Sequence, residues 1–184
     1  MTDATFSLST ARVVSFVAKS GTGKTTLLEK VIAELKIRSY RVGVIKHDAH
    51  RFDIDHPGKD SHRLTAAGAD TMLIASPEKL ALVKKHPAAP SVEELLTTYM
   101  ADMDVILTEG FKKSRLPKIE VHRLERSSSL ICRGDEYDPC LIAVASDAKW
   151  ELDVPLLDLN NPAQVADFVV ERIIRQQQID TERI

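Results

Sequence analysis

The segment Ala18–Thr25, AKSGTGKT, constrains this chain more than any other. It follows Val13–Val17, a run that reads as a buried strand, and precedes a stretch from Thr25 in which Leu27, Leu28, Val31, Ile32 and Leu35 share one helical face. A lysine between two core-seeking segments needs a partner outside the core. Gly21 and Gly23 permit the positive φ values that turn successive N–H groups toward one point, and the helix after Lys24 adds unpaired donors and a positive dipole end. The spacing matches Gly-x4-Gly-Lys-Ser/Thr, with Ala18 at the first glycine, where a small residue suffices if φ is negative. The stretch is read as a phosphate loop, contacting its ligand through Lys19, Ser20, Gly21, Thr22, Gly23, Lys24, Thr25 and Thr26. In it, Lys24 bridges β- and γ-phosphates and the Thr25 hydroxyl ligates Mg²⁺. Lys19 has two readings: an exposed loop lysine, or a cation that crosses to a partner's phosphates in a dimer.

Strands and helical periods alternate beyond this point, which predicts a mostly parallel α/β sheet flanked by helices, with a smaller antiparallel extension. Arg41–Lys46 reads as the second strand. His47–Asp60 is a long polar loop, and a short helix ends at Gly68, a left-handed cap. Thr71–Ala75 and Leu80–Lys84 read as short strands, the second possessing edge character from Lys84, Lys85 and Pro87. Ser91 is an N-cap for a helix to about Tyr99, with Glu93 and Glu94 in its first turn. Asp104–Gly110 is a buried strand; Lys118–Leu124, KIEVHRL, alternates as a half-exposed strand would, and LPKIEVHRL, from Leu116, offers a candidate pairing edge for a dimer. Leu141–Asp147 is a core strand, and Val165, Phe168, Val169 and Ile173 mark a closing helix. One domain over residues 1–184 is expected, with flexible ends at 1–11 and 176–184.

A phosphate loop needs an acid on a neighbouring strand for the metal shell. Glu109, at the C-terminal end of its strand, is the candidate over Asp104 at the opposite end; a cap or ion pair is its plainer role. Asp48, just past the second strand, is placed to align a water on the γ-phosphate. With His47, His50, Asp53, Asp55, His56, Asp60 and His62 it forms a His/Asp-rich loop whose spacing matches no established zinc pattern, so a nucleotide-sensing switch is the preferred reading. Asp147 ends a core strand, where a carboxylate can accept from N1 and N2 of guanine and would stay unpaired against adenine; the alternative is a capping aspartate.

Charge excludes other classes. Twenty-five basic residues against 27 acidic ones give a net charge of −2, which supplies no field for nucleic acid or an anionic membrane. No run approaches the roughly 18 apolar residues of a spanning helix, and MTDATFSLSTA lacks the features of a signal peptide, so a cytoplasmic protein is expected. Cys132 and Cys140 read as reduced thiols.

In order, SGTGKTTLLEKVI, GVIKHDAH, DIDHPGKDSHRLTAAGA, DVILTEGFK, KIEVHR, IAVASD, LDVPLLDLN and VADFVVE resemble the MobB family of molybdopterin-guanine dinucleotide biosynthesis proteins, from about Arg12 to Ile174. PGKDS and TEGFKKSRLPKIEVHR carry the specificity, because nucleotide binding alone does not require them. The resemblance implies a GTP-binding accessory protein with weak hydrolysis, usually a homodimer, that assists the guanylyltransferase MobA in attaching GMP to molybdopterin. It places phosphates and magnesium on Lys24, Thr25 and Thr26, the metal shell on Glu109 and guanine on Asp147. Lys59, Asp60 and Ser61 would face nucleotide or pterin. Ala18 departs from the family glycine, and Asp48 stands where relatives commonly have a neutral residue, which puts the hydrolysis rate in question. Two alternatives remain at this level: a small-molecule kinase with Arg123 or Arg126 as lid cations, and an adapter whose docking surface matters more than its nucleotide.

Overall fold

The strand preceding the phosphate loop, β1 (Val13–Ala18), is buried along its whole length. In the computed structural model it lies inside a six-stranded sheet formed with β2 (Val42–Lys46), β5 (Val105–Glu109), β6 (Lys118–His122), β7 (Leu141–Ser146) and β8 (Leu156–Asp158). The order is β2-β5-β1-β6-β7-β8, and every pairing is parallel. Parallel strands covered on both faces read as unbroken apolar runs, which is why β1, β5 and β7 stand out in the sequence. The structure describes residues 12–47, 52–134 and 137–176.

These residues divide into two compact units, with boundaries at His47/Asp48 and Glu94/Leu95. The larger holds the sheet. On one face α1 (Lys24–Ile37) and α4 (Pro162–Val169), prolonged by a π-helical segment Val170–Arg175, pack Leu27, Leu28, Val31, Leu35, Val165 and Val169 against Val14, Phe16, Leu107, Ile119 and Ala143. The opposite face carries a smaller cluster of Val17, Leu130, Cys132, Leu141 and Val144, so that the connection from β6 to β7 covers part of the sheet. Arg38 ties the two helices, bonding Glu34 at 2.7 Å and Asp167 at 2.8 Å.

The smaller unit contains α2 (Asp60–Ala66) and an antiparallel hairpin of β3 (Thr71–Ala75) and β4 (Leu80–Lys84), paired from Thr71↔Lys84 to Ala75↔Leu80. Leu73, Ile74, Leu80 and Leu82 are exposed on it. The chain then enters α3 (Val92–Tyr99) through a capping box: Glu94 N donates to Ser91 Oγ at 3.1 Å, and Ser91 N to the Glu94 carboxylate at 2.7 Å.

Two expectations need correction. β6 is neither half-exposed nor an edge: it pairs with β1 and β7, and all five residues are buried. Its alternation has another cause. Ile119 and Val121 face the helices, while Lys118, Glu120 and His122 are buried with polar partners of their own. The strand β8 was not anticipated, being three residues long and preceded by Pro155. The expected flexible ends lie, apart from Gln176, outside the described residues.

Candidate functional site

The loop from β1 to α1 has the backbone its sequence demands. Gly21 and Gly23 take φ of 77° and 85°, the left-handed region that costs a glycine little, and Gly23 leads directly into the helix at Lys24. Thr22 is buried, its hydroxyl donating to Lys19 O at 3.2 Å, so it closes the loop upon itself. Glu109 follows Val105 and Leu107 on the α1 face of β5, which brings its carboxylate to the loop. Lys24 Nζ pairs with Glu109 Oε1, and Thr25 Oγ1 donates to the same oxygen at 3.2 Å. Burial alone would raise the Glu109 pKa, but the Lys24 hydrogen bond and charge, helped by Thr25 and Lys46, hold it below the ordinary carboxylate range.

After Glu109 the chain turns through two left-handed residues, Gly110 with φ of 103° and Phe111 with φ of 53°. A side chain at Gly110 would stand 3.2 Å from His47 O and 3.3 Å from His47 Cβ, so the glycine serves both the turn and the close approach. Ser15 Oγ donates to Gly110 O at 2.6 Å, and the His47 ring lies 4.7 Å from that of Phe111.

The connection after β6 supplies residues that sequence reasoning missed. Lys118 Nζ bonds Ser114 O and lies 3.1 Å from Asp138 Oδ2; Glu120 accepts from Ile131 N at 2.6 Å and Cys132 N at 2.8 Å. His122 Nε2 is 2.8 Å from Ser127 O and its Nδ1 3.0 Å from Ser146 Oγ. Because a carbonyl can only accept, the hydrogen sits on Nε2; Ser146 Oγ, already accepting from Ala148 N at 3.0 Å and Trp150 Nε1 at 3.3 Å, directs its own proton to Nδ1. Three buried polar side chains thus fasten one connection to one strand. The only advance signal was their alternation, which solvent exposure explains equally well.

That connection reaches the phosphate loop. Lys19 Nζ donates to Ser127 Oγ at 2.6 Å and to Ser129 O and Oγ at 2.9 Å, so it is engaged within its own chain. Arg123 Nε is 3.4 Å from Thr22 O, and its guanidinium would lie 3.8 Å from a Cβ at Gly23; the Arg126 side chain stands in the same relation to Gly21. Arg123 Nη1 also reaches Asp147 Oδ2 at 3.4 Å, while Asp147 Oδ1 accepts from Leu124 N at 2.8 Å. Asp147 therefore caps the turn after β6 and holds an arginine.

The remaining sequence candidates belong to the smaller unit or lie outside the described residues. Lys59 precedes α2 without a side-chain cap bond, Asp60 bonds Arg63 at 3.3 Å, and Ser61 Oγ donates to Asp55 Oδ2 at 2.5 Å, all within the smaller unit. Asp48 and His50 lie outside the described residues. Among the described residues no three His, Cys, Asp or Glu side chains converge as a metal site. The Thr25 hydroxyl and Glu109 carboxylate do offer two hard oxygen donors beside an anion cradle, a set that fits Mg²⁺ completed by phosphate oxygens.

The family model for MobB, molybdopterin guanine dinucleotide synthesis protein B, matches residues 13–147. The chain belongs to this family. It is 43% identical over 173 residues to the molybdopterin-guanine dinucleotide biosynthesis adapter protein of Escherichia coli, covering 89% of this chain and 94% of that one. The Haemophilus influenzae protein of the same name is 42% identical over 151 residues, 82% of this chain and 83% of that one. Among solved structures, Bacillus subtilis MobB superposes with a TM-score of 0.69 at 25% identity over 88% of this chain and 97% of that one. The MobB homolog from Bacillus stearothermophilus gives 0.63 at 22% over 88% and 97%, a likeness of fold. The fold is thus that of MobB, a parallel sheet of P-loop NTPase type with a small antiparallel sheet. Among the described residues no helix is long and apolar enough to cross a membrane.

Proposed function

We propose that this chain is a GTP-binding adapter of molybdenum cofactor synthesis, a cytoplasmic protein that assists the attachment of GMP to molybdopterin to form molybdopterin guanine dinucleotide. The observation that carries the nucleotide reading is the meeting of Lys24, Thr25 and Glu109 at a loop with two left-handed glycines. The adapter role rests on family membership and on relatives that bear that name over most of their length. None of the relatives named above is a kinase, and the kinase alternative gains no support.

In this reading the amides of residues 19–25 and the first turn of α1 receive the phosphates, and Lys24 neutralises charge between β- and γ-positions. Thr25 and Glu109 would hold Mg²⁺, which supplies a hard Lewis acid on phosphate oxygens. Asp147 accepts from guanine. Weak hydrolysis is proposed, with Asp48 as the water-aligning group. The partner is the guanylyltransferase MobA, and molybdopterin is a further candidate ligand beside Lys59, Asp60 and Ser61. A homodimer is proposed on the apolar hairpin β3–β4, in place of β6.

Calorimetry of GTP, ATP and GDP with and without Mg²⁺, on protein of known oligomeric state, tests this directly. Magnesium-dependent GTP binding stronger than ATP binding is expected. Equal affinity for both would remove the guanine role of Asp147, and Lys24→Ala protein that still supports molybdoenzyme maturation would remove the nucleotide from the adapter function.

A further inference from the structure

Two cations beside the phosphate loop are each held by an acid at the end of a neighbouring strand. Lys24 pairs with Glu109 at the end of β5; Arg123 pairs with Asp147, just past the end of β7. The two holds differ in kind. Lys24 and Glu109 are both 17% exposed and share a tight contact, whereas Arg123 is 33% exposed and its two hydrogen bonds, to Thr22 O and Asp147 Oδ2, are both 3.4 Å long. At that length a bond is weak and easily exchanged. The backbone that carries Arg123 is by contrast fixed, since His122 before it bonds Ser146 and Ser127, and Leu124 after it bonds Asp147. Only the side chain is free to change partner.

Asp147 has two oxygens. One is committed to the Leu124 amide, and the other is the seat of Arg123. A guanine base presents two adjacent donors, N1–H and the exocyclic N2–H₂, and a carboxylate that receives both brings one of them onto the oxygen that Arg123 holds, in competition with a bond already 3.4 Å long. We infer that Arg123 is a specificity-coupling cation: guanine on Asp147 displaces its guanidinium, which then turns to the polyphosphate over Gly23. Adenine has no such donor pair, so with ATP the arginine stays on Asp147 and the phosphates lose one cation. Base identity is thereby converted into phosphate affinity, and discrimination exceeds what the base contact alone supplies. This inference rests on the guanine reading of Asp147 given above.

The test is calorimetric titration of the full chain, in Mg²⁺ buffer, with GTP, ATP and inorganic tripolyphosphate. The variants are Arg123→Ala, Asp147→Asn and the double substitution. Asparagine keeps a carbonyl acceptor for the Leu124 amide, so the turn survives while the charge that seats Arg123 is gone. Arg123→Ala is expected to weaken GTP about tenfold, the loss of one charge-assisted contact, and to leave ATP and tripolyphosphate within about twofold, since in their complexes the arginine is still seated. Asp147→Asn is expected to weaken GTP but to strengthen tripolyphosphate by about threefold or more, and that gain is expected to vanish in the double variant. Equal weakening of GTP and tripolyphosphate by Arg123→Ala would overturn the coupling while leaving GTP binding standing. So would tripolyphosphate affinity unchanged by Asp147→Asn. Wild-type protein that binds GTP and ATP alike would instead overturn the guanine reading itself, and the coupling with it.

Discussion

The ion pair at the phosphate loop makes a sharp prediction about metal dependence. In the structure Lys24 is engaged by Glu109, and Thr25 donates to the same oxygen, so a polyphosphate arriving without a metal meets a committed lysine and a negative carboxylate. Glu109→Gln preserves the shape and an acceptor oxygen but removes the charge. Lys24 would keep a charge-assisted hydrogen bond to the amide oxygen but lose its ion pair, about 1–2 kcal/mol for a contact between the exposed and the buried cases. Lys24 thus becomes about 1–2 kcal/mol easier to release, and metal-free tripolyphosphate should bind about five- to thirtyfold tighter. With Mg²⁺ present the gain should shrink or reverse, because the amide is a poorer ligand than a carboxylate for a hard cation. Isothermal calorimetry of tripolyphosphate in chelator and in excess Mg²⁺ reads both effects as one ratio. Metal-free affinity that is unchanged or reduced in Glu109→Gln would refute the idea that the pair competes with the ligand. The pair also has a pH signature. The Glu109 pKa is held low in the folded protein, so its contribution to stability is complete above the unfolded-state value and disappears as pH falls through the folded one. Glu109→Gln should lack that part of the acid dependence.

Four other outcomes follow from geometry already described. Glu120→Ala removes the acceptor of two amides, one buried and one half-buried, and should cost about 3 kcal/mol in chemical denaturation. Gly110→Ala must hold a positive φ and meet His47 at 3.2 Å, so a loss of about 1–3 kcal/mol is expected by the same measurement. The Cys132 thiol is pushed up to about 12 by burial and by the neighbouring Glu120 charge, whereas Cys140 is partly exposed; mass spectrometry after brief iodoacetamide treatment at neutral pH should find label on Cys140 first. The Arg133 hydrogen bond holds Asp153 down to about 2 from 3.8, so this pair should persist through mildly acidic solution. Its stabilisation should be lost only as pH falls between those values, a step that Asp153→Asn removes from an acid titration followed by Trp150 fluorescence.

Much of this was legible because backbone rules leave few choices. The phosphate loop is a local object: its glycines, lysine and threonine are contiguous, and the strand and helix on either side announce themselves by period. Glu109 was placed at the loop because parallel sheets gather ligands at strand ends. The capping box at Ser91 and Glu94 is likewise a four-residue signal. What escaped is non-local. Nothing in KIEVH distinguishes a polar face in water from one buried under a later segment, since the partners at Ser114, Ile131, Cys132, Asp138 and Ser146 are up to 24 positions distant. The bonds of Lys19 within its own chain were equally hidden, since its serines lie more than a hundred residues onward. The role of Asp147 as a seat for Arg123 required the turn after β6 and the end of β7 in one frame.

The buried polar face of β6 bears on how this protein reaches its native arrangement. Its three teeth differ: an ammonium that seeks oxygens, a carboxylate that seeks amides, and an imidazole that needs one of each. Sliding the strand by two residues would preserve the apolar side yet set the carboxylate where the ammonium belongs, and sliding by one would turn every tooth toward the helices. An apolar strand would tolerate such slips as near-equals of the correct alignment. Here each mismatch strands a charge, so the last long connection can lock onto the sheet in one way only, and the arginines it delivers arrive already aimed.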